Sequence, residues 1–495
     1  MARRDSLHQY TPVLVAPHYA PSPVFTLTEL LDTVRQGPNN KTSFSFLSLL
    51  LPFVIFAPFL NLAKTMNYQE TITYLFNSAP LFQHIGKEAY KEGLDNTEAL
   101  DAYFNHPHTQ FKSIHIAGTN GKGSCSHTLA AILQSAGYRV GLYTSPHLAD
   151  FRERIRVNGT PVEQQYVIDF VEKHRAFFEP LHPSFFELTT AMAFTYFAAQ
   201  KVDVAVIEVG LGGRLDCTNI IHPDLSIITN ISFDHVQFLG NTLGKIAHEK
   251  AGIIKAGVPV VIGETNEETR PVFQEQAERV NAPIVFAEDE QLLKTATPLP
   301  TGGFAYDTEV FGKIQGELGG WYQVKNTNTL LSALRCLQAS GYQIEEKDIR
   351  NGFAHVCSLT GLQGRWQKLS DSPRTFCDTG HNVGGIQYIV EQLKHQTYRQ
   401  LHIVIGMVND KDISGVLKML PKDAVYYFTQ ASVKRALPAE KIKELGNGYG
   451  LKGESYPDVM SAWKEAKKNA SPEDFIFIGG SSFIVADLLT NLPGA

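Results

Sequence analysis

One short stretch, SIHIAGTNGKGS at residues 113–124, constrains the fold of this chain more than any other. Its lead-in, KSIHIA, is an apolar run rich in β-branched residues, which is typical of a buried strand. The residues after the loop, CSHTLAAILQSAG, carry apolar side chains at helical spacing and reach a stop signal at Gly137. The stretch therefore predicts a strand, a glycine-rich loop and a helix in succession.

The loop between that strand and helix, GTNGKG from Gly118 to Gly123, is suited to phosphate. Loop amides and a helix N-terminus direct N–H groups at one point. Lys122 is placed to reach terminal phosphates, and a hydroxyl of Thr119 or Ser124 to contact Mg²⁺. The spacing departs from the usual P-loop, which has four residues between its glycines and Ser or Thr directly after Lys. An ordinary glycine-rich turn is the alternative, and the flanking strand and helix favour a nucleotide site.

The overall composition excludes several classes of protein. A chain of 495 residues exceeds the size of a single core, so two or more domains are expected. Its hydrophobic fraction of 43% and charged fraction of 19% are typical of a soluble globular protein. A net charge of −6 without a basic run argues against a nucleic-acid partner. The five cysteines are scattered, which favours reduced thiols over disulfides or a zinc site.

The first 65 residues differ from the rest of the chain. Residues 44–63, FSFLSLLLPFVIFAPFLNLA, hold no charge and are long enough to cross a bilayer. Basic residues precede them, so a membrane anchor with a cytoplasmic N-terminus is one interpretation. A cleavable signal peptide fits less well, because no small-residue cleavage site follows. We favour a third interpretation, in which translation begins at Met66 and residues 1–65 are a mis-assigned extension.

Beyond the phosphate loop the predicted strands and helices alternate. The strands are expected at 138–143, 204–209, 225–230, 258–262 and 283–286, and the helices between them at 164–178, 185–200, 242–256 and 270–280. This alternation predicts a parallel, doubly wound sheet. Asn158-Gly159 predicts a hairpin turn within 152–162, and residues 288–319 are expected to form short strands or loops. A second β/α series begins after residue 366.

AGTNGKGS, followed by TSPHL at 144–148, resembles the folylpolyglutamate synthase/dihydrofolate synthase family of Mur-type ATP-dependent amide ligases. Further motifs follow in the family's order: FFELT at 185–189, GLGGRLDCTN at 210–219, GWYQVKN at 320–326, LQGRW at 362–366 and DTGHN at 378–382. The resemblance implies two α/β domains. An N-terminal P-loop-type domain with a doubly wound, mostly parallel sheet is expected at 66–361, and a smaller Rossmann-like glutamate-ligase domain at 362–495.

The resemblance also implies a reaction. ATP would convert a carboxylate into an acyl phosphate, which the amine of L-glutamate attacks; the acceptors would be dihydropteroate and the glutamate chains of tetrahydrofolate. The expected cofactors are ATP and Mg²⁺, with two ions, and the partners are small molecules, with no nucleic acid and no membrane unless 44–63 is an anchor. A cytoplasmic monomer that accepts both substrates is our preferred form. A Mur-type ligase of cell-wall precursors and a non-catalytic P-loop nucleotide-binding module are the alternatives.

The nucleotide contacts that the family implies lie in four motifs. In the phosphate loop they are Gly118, Thr119, Asn120, Gly121, Lys122, Gly123 and Ser124. Asn326 would meet the adenine nucleotide, Arg365 would reach across to the phosphates, and Asp378 would contact nucleotide. His381 would lie near the transferred group or the incoming glutamate. Tyr322 stands where the family has His, and the implied catalytic set is Lys122, Lys250, Arg365 and His381.

The metal ligands that the family implies are Ser145, Glu208, His235 and Lys250. Glu208 has an independent argument, because a carboxylate in so apolar a strand needs a metal or a salt bridge as its counter-ion. Without the resemblance, Ser145 before a proline would be a turn residue, and His235 an isolated histidine of structural or surface type. Lys250 would be a solvated charge, whereas the matching lysine of the family is carbamylated and supports a second ion.

The pteroate contacts that the family implies come from three segments: Phe82, Phe186, Glu187, Leu215, Asp216 and Cys217. Phe82 and Phe186 are equally well explained as core aromatics. Asp410 and Lys411, in MVNDKD, are candidates for contacts that close the two domains, although as surface charges they would be unremarkable.

Overall fold

The computed structural model describes residues 65–78, 93–300, 302–409 and 412–492. The part of the chain from Met66 onward is one compact unit. The predictions made for residues 1–64, for Phe82, and for Asp410 and Lys411 lie outside the described residues. Within the described ranges, none of the helices combines the length and apolarity that crossing a membrane requires.

Within the described residues, the first sheet has eight strands in the order β4-β3-β2-β5-β1-β6-β7-β8. The strands are β1 Lys112–Ala117, β2 Val140–Tyr143, β3 Ile155–Val157, β4 Thr160–Pro161, β5 Val204–Glu208, β6 Leu225–Ile228, β7 Val260–Ile262 and β8 Ile284–Phe286. Six of them are parallel, and β3 and β4 form an antiparallel hairpin at one edge. The central strand β1 is buried along KSIHIA apart from its first residue, as an uninterrupted apolar run predicts.

Helices cover both faces of this sheet. In chain order they are α1 Tyr68–Ser78, α2 Asp95–Tyr103, α3 Lys122–Ser135, α4 Gln164–Phe178, α5 Phe185–Ala199, α6 Val236–Leu239, α7 Leu243–Ala251, α8 Arg270–Arg279, α9 Ala287–Glu290, α10 Tyr322–Ala339, α11 Glu346–Ala354 and α12 Val356–Thr360. Successive residues of β5 show the two layers: Val204 and Val206 pack with α3 and α10, whereas Ala205 and Ile207 pack with α4 and α5. The doubly wound prediction is confirmed.

The predicted hairpin turn is confirmed, whereas the end of one predicted helix was wrong because tertiary packing determines it. Asn158 and Gly159 have φ values of 46° and 76° and join β3 to β4 as a two-residue hairpin turn. The helix predicted at 242–256 was too long, because α7 ends at Ala251. A Cβ on Gly252 would lie 2.4 Å from the Arg214 Cα, so another segment packs against this glycine. Residues 288–319 form a three-stranded antiparallel sheet, β9 Leu293–Pro298, β10 Phe304–Thr308 and β11 Gly312–Gly316.

In the described part of residues 362–495, the second sheet has six strands in the order β12-β13-β17-β14-β15-β16. They are β12 Gln367–Asp371, β13 Arg374–Cys377, β14 Leu401–Ile405, β15 Val425–Phe428, β16 Lys452–Ser455 and β17 Phe475–Gly479, with helices α13 Val383–Lys394, α14 Ile413–Met419, α15 Ala439–Gly448, α16 Val459–Asn469 and α17 Ser482–Thr490. All neighbouring pairs are parallel except β12 with β13, and a separate apolar core lies on each face. The two-domain α/β fold class is therefore confirmed.

Candidate active site

The phosphate loop has the strand–loop–helix form that its sequence predicts. Helix α3 begins at Lys122, and Gly118 and Gly121 have φ values of 143° and 85°, which favour glycine. A Cβ on Gly118 would lie 1.9 Å from Thr229 Oγ1, and one on Gly121 would lie 2.3 Å from Asn326 Oδ1. Lys122 Nζ donates to the carbonyls of residues 118 and 119 at 3.0 and 3.2 Å. The lysine charge therefore lies over the loop.

The two hydroxyls predicted to contact Mg²⁺ already have protein partners. Thr119 Oγ1 donates to the Ser232 carbonyl at 3.1 Å and accepts from its N–H at 3.0 Å. Ser124 is 2% exposed, and its hydroxyl accepts from Gln323 Nε2 at 3.1 Å. Gln323 in turn accepts from Asn326 Nδ2 at 2.9 Å. These contacts fix the loop against β6 and α10, and Gln323 is a site residue that sequence reasoning missed although it lies in GWYQVKN.

Glu208, at the carboxyl end of β5, lies at the centre of the site. It is 3% exposed, and its Oε2 accepts from the Ser145 N–H at 3.3 Å. Burial raises the pKa of this carboxyl, whereas the charges of Lys122, Arg365 and Arg154 lower it. Two of the predicted metal ligands, Ser145 and Glu208, are thus brought together. A buried carboxylate beside a serine fits a hard, oxygen-preferring cation.

Arg365 approaches the phosphate loop from the junction with the second sheet. Its guanidinium donates to Thr379 Oγ1 and to the Gly364 carbonyl, the latter at 3.4 Å. A Cβ on Gly123 would lie 3.4 Å from Arg365 Nη2 and 3.7 Å from Glu208 Oε2. The loop glycine is therefore bordered by a cation on one side and by the central carboxylate on the other.

Asp378, predicted to contact nucleotide, is engaged by protein donors. It follows β13, is 3% exposed, and accepts from the Tyr322 O–H at 2.6 Å, the Trp366 N–H at 2.7 Å and the Gly380 N–H at 2.8 Å. Burial raises the pKa of this carboxyl, and these donors lower it. Because Tyr322 begins α10, its hydroxyl links the first domain to the first loop of the second. Tyr322, which stands where the family has His, therefore makes a contact between the two domains.

A second link joins the DTGHN loop to the phosphate loop. Asn382 Nδ2 donates to Asp234 Oδ2 at 2.9 Å and to Asn120 Oδ1 at 3.1 Å. His381 Nε2 lies 3.9 Å from Asp234 Oδ2, and His235 Nε2 lies 3.8 Å from Asp234 Oδ1. Sequence reasoning missed Asp234, although the carboxylate directly before a histidine in SFDH was a visible signal. The arrangement places a carboxylate between two imidazoles at the interface of the two domains.

Lys250, predicted to be carbamylated, is buried rather than solvated. It lies in α7, is 4% exposed, and its pKa is lowered to about 7 by burial and by the charge of Lys122, against the opposing effect of Asp234 and Asp216. The neutral amine is the form that reacts with CO₂. No group of three or more His, Cys, Asp or Glu side chains with metal-binding geometry occurs in the described ranges. The predicted ligand set is not such a group, because it includes a serine and a lysine.

Helix α5 carries two of the predicted pteroate contacts, Phe186 and Glu187. Phe186 stacks on Tyr143 with 5.8 Å between ring centroids, and a Cβ on Gly210 would lie 2.4 Å from Phe186. Glu187 completes a capping box with Ser184, so its carboxylate satisfies the first turn of its own helix. A pteroate contact for Phe186 or Glu187 stays a prediction.

The GLGGRLDCT loop is organised by Asp216. Its carboxylate accepts from the Leu211 N–H at 2.8 Å and from the N–H and hydroxyl of Thr218 at 3.0 and 2.5 Å. Leu215 and Cys217 flank it and are partly buried. Burial raises the pKa of the Cys217 thiol well above its ordinary range, so this cysteine is protonated at neutral pH. The Cys217 thiol is therefore not activated as a nucleophile.

Comparison with known proteins finds two family models that match this chain. Residues 116–327 match the family model described as Mur ligase middle domain, and residues 364–482 match Mur ligase, glutamate ligase domain. A dihydrofolate synthase/folylpolyglutamate synthase of Bacillus subtilis (strain 168) is 33% identical over 419 residues, which cover 82% of this chain and 96% of that protein. The chain belongs to the folylpolyglutamate synthase/dihydrofolate synthase family. An Escherichia coli (strain K12) member is 35% identical over 379 residues, covering 76% of this chain and 85% of its own.

Solved structures of this family have the same architecture. E. coli FolC in complex with DHPP and ADP superposes with a TM-score of 0.72 at 30% identity, covering 86% of this chain and 97% of that one. Mycobacterium tuberculosis folylpolyglutamate synthase complexed with ADP and AMPPCP gives a TM-score of 0.75 at 30% identity, covering 85% and 98%. The predictions of family and of fold class are both confirmed.

Proposed function

We propose that this protein is an ATP-dependent ligase that adds L-glutamate to dihydropteroate and to the glutamate chains of folates through an acyl-phosphate intermediate. The observation that carries the proposal is the position of Gly123, between Arg365 of the domain junction and Glu208 of β5. The names of the Bacillus and E. coli relatives include both activities, which supports the bifunctional form.

The phosphoryl-transfer step needs a positive, N–H-rich cradle, because negative charge spreads over the transferring group. The N-terminus of α3 supplies amides, and Lys122 and Arg365 supply two cations around them. Ser145, Glu208, His235 and carbamylated Lys250 would hold two Mg²⁺ ions, which neutralise phosphate charge. A Mycobacterium relative solved with ADP and AMPPCP, and a Yersinia pestis one solved with AMPPNP and Mn, support nucleotide and divalent-metal use.

The amide-forming step needs a dry site, because water would hydrolyse an acyl phosphate. The contacts of Tyr322 with Asp378 and of Asn382 with Asn120 hold the second domain over the phosphate loop. The incoming glutamate would lie beside His381, whose Nε2 faces Asp234 at 3.9 Å. Most of the rate enhancement would then come from positioning and electrostatics, without a protein nucleophile.

Several assignments complete this proposal. The domain limits are 66–361 and 362–495, with residues 1–65 as an extension. Leu215, Asp216 and Cys217 form one wall of the pteroate site, with Phe186 and Phe82 as further contacts. The nucleotide contacts are the phosphate loop, Asn326, Arg365 and Asp378. A cytoplasmic monomer is the expected form, and the free thiols among the described residues fit a reducing compartment.

The test is ADP release from ATP by the purified protein with Mg²⁺ and L-glutamate, with dihydropteroate and tetrahydrofolate supplied separately. A mass gain of one glutamyl residue on both acceptors is expected, and Lys122→Ala should abolish it. Lys112→Ala, which removes a lysine exposed at the start of β1, is the matched control and should be fully active. Near-normal turnover in Lys122→Ala would contradict the phosphate-loop assignment. Nucleotide binding without a mass gain on either acceptor would favour the cell-wall ligase or the binding module.

A further inference from the structure

Arg154 is a buried cation with a single side-chain hydrogen-bond partner among the described residues. It ends the 3₁₀ turn Phe151–Arg154 that follows the TSPHL loop, and it is only 5% exposed. Its Nε donates to His147 Nδ1 at 2.7 Å, and its guanidinium lies 5.2 Å from the centroid of the Phe185 ring. Among the residues that the structure describes, no carboxylate forms an ion pair with it and neither Nη group has a hydrogen-bond acceptor. A buried charge is costly unless it is paired, so an anionic ligand is the expected complement.

The partner that Arg154 does have fixes its position without neutralising its charge. His147 Nδ1 accepts from Arg154 Nε and therefore carries no proton, so this imidazole is neutral. Its ring lies 6.2 Å from Phe76 and 6.3 Å from Phe151, which limits its rotation. The guanidinium is therefore held in place by a neutral acceptor and an aromatic face, while its charge stays available.

The location of Arg154 identifies the kind of anion. Three cations act on the buried Glu208 carboxylate: Lys122 from the phosphate loop, Arg365 from the domain junction, and Arg154. Arg154 stands on the side of α5, next to the predicted pteroate contacts, and its own carbonyl accepts from the Thr144 N–H at 3.0 Å, one residue before Ser145. Arg154 thus lies next to both the predicted pteroate contacts and the loop that carries Ser145.

A second buried arginine lies two residues further along, in β3, and its contacts differ from those of Arg154. Arg156 Nη1 donates to the Gly159 carbonyl at 3.1 Å, inside the hairpin itself, and its guanidinium lies against Gly361. Arg156 thus has a protein acceptor for one of its Nη groups, whereas neither Nη group of Arg154 has one among the described residues.

We propose that Arg154 binds the reacting carboxylate of the acyl acceptor and holds it in front of the phosphate loop. The proposal rests on the proposed function. A planar guanidinium matches a carboxylate through two parallel N–H bonds. A carboxylate oxygen then forms the new bond to the γ-phosphorus as the bond from phosphorus to ADP breaks, and the guanidinium keeps its protons throughout. Guanidinium groups also bind phosphate, so the γ-phosphate of ATP is the second anion that the experiment must distinguish.

The experiment measures ligand binding to the full chain without turnover. Wild type, Arg154→Met and Arg154→Lys are titrated with dihydropteroate, with an analogue whose carboxylate is a carboxamide, and with AMPPNP and Mg²⁺. Wild type should bind the carboxylate at least tenfold more tightly than the carboxamide, and this preference should disappear in Arg154→Met. Arg154→Lys should keep part of the preference, and AMPPNP affinity should change less than twofold. Arg152→Met is the control, because Arg152 lies in the same turn but is paired with Asp150 at 2.7 Å.

Three outcomes would overturn the proposal. The first is a wild-type protein that binds the carboxamide as tightly as dihydropteroate. This measurement does not depend on whether any variant folds. The second is an Arg154→Met protein that keeps the wild-type preference, and the third is a loss of AMPPNP affinity in place of dihydropteroate affinity. In each case, glutamate addition by the wild-type protein is measured as well. If the wild type adds glutamate, the proposed function stands and only the assignment of Arg154 fails; if it does not, the proposed function fails too.

Discussion

Replacing Tyr322 by Phe removes one hydrogen bond between the two domains and nothing else of that side chain. The hydroxyl donates to Asp378 Oδ2 at 2.6 Å, and Asp378 is 3% exposed. A hydrogen bond to a charged group contributes about 1.5–3 kcal/mol. In the variant Asp378 keeps two backbone donors, from Trp366 and Gly380, so the carboxylate is not left without partners. We therefore expect Tyr322→Phe to lower the free energy of unfolding by about 1.5 kcal/mol, the lower end of that range.

This loss should appear in catalysis as well as in stability. Tyr322 begins α10 of the first domain and Asp378 follows β13 of the second, so the bond contributes to the docking of the domains. A cost of about 1.5 kcal/mol is roughly a tenfold change in an equilibrium or a rate. If the docked state performs phosphoryl transfer, kcat/KM for glutamate addition should fall roughly tenfold. The assay is ADP release with dihydropteroate as acceptor, measured beside the midpoint of thermal unfolding.

Tyr342→Phe is the matched control for this experiment. The Tyr342 hydroxyl also donates to an aspartate, Asp224 Oδ2 at 2.8 Å, but both residues belong to the first domain. The control should lose stability and keep kcat/KM within twofold of wild type. A Tyr322→Phe enzyme with unchanged kcat/KM, or a Tyr342→Phe enzyme that loses as much activity, would refute the docking role of Tyr322.

Three further expectations concern the phosphate loop, the pH dependence of stability and the N-terminal extension. Gly121→Ala should weaken AMPPNP binding at least tenfold in a titration, because φ is 85° and the new Cβ would lie 2.3 Å from Asn326 Oδ1; unchanged binding would contradict this loop geometry. Burial lowers the pKa of His127 to about 3, so between pH 6.5 and 3 the unfolded chain binds a proton that the folded chain does not, and stability is lost as the pH falls. From pH 7 to pH 5 this histidine should cost about 2 kcal/mol, and urea unfolding of His127→Gln should show a shallower pH dependence; an equal dependence would be the contrary result. A protein starting at Met66 should be as active as the full chain, because the Met66 nitrogen lies 3.0 Å from Glu172 Oε1 and would bind it as an amino terminus; loss of activity on truncation would count against Met66 as the start.

The sequence by itself determined those features that depend on neighbours in the chain. The apolar run before Gly118 and the helical spacing after Lys122 define one strand–loop–helix unit, and the structure contains it. Asn158-Gly159 determined its own turn, since positive φ at both positions suits that pair. The alternation of strand and helix patterns determined the doubly wound sheet, because parallel strands need crossover connections. The order of the motifs was sufficient to indicate the family.

Only the tertiary structure decided which polar groups satisfy one another. Asn382 meets Asp234 and Asn120, which precede it by 148 and 262 residues, and no local pattern specifies pairs at that separation. For the same reason, the sequence could not show that Tyr322 engages Asp378, or that the Arg154 side chain has only His147 as its hydrogen-bond partner within the described chain. A side chain's type restricts what it can bind. Its partners and its exposure to water follow from packing. They decide whether a buried charge is paired within the protein or is available to bind a ligand.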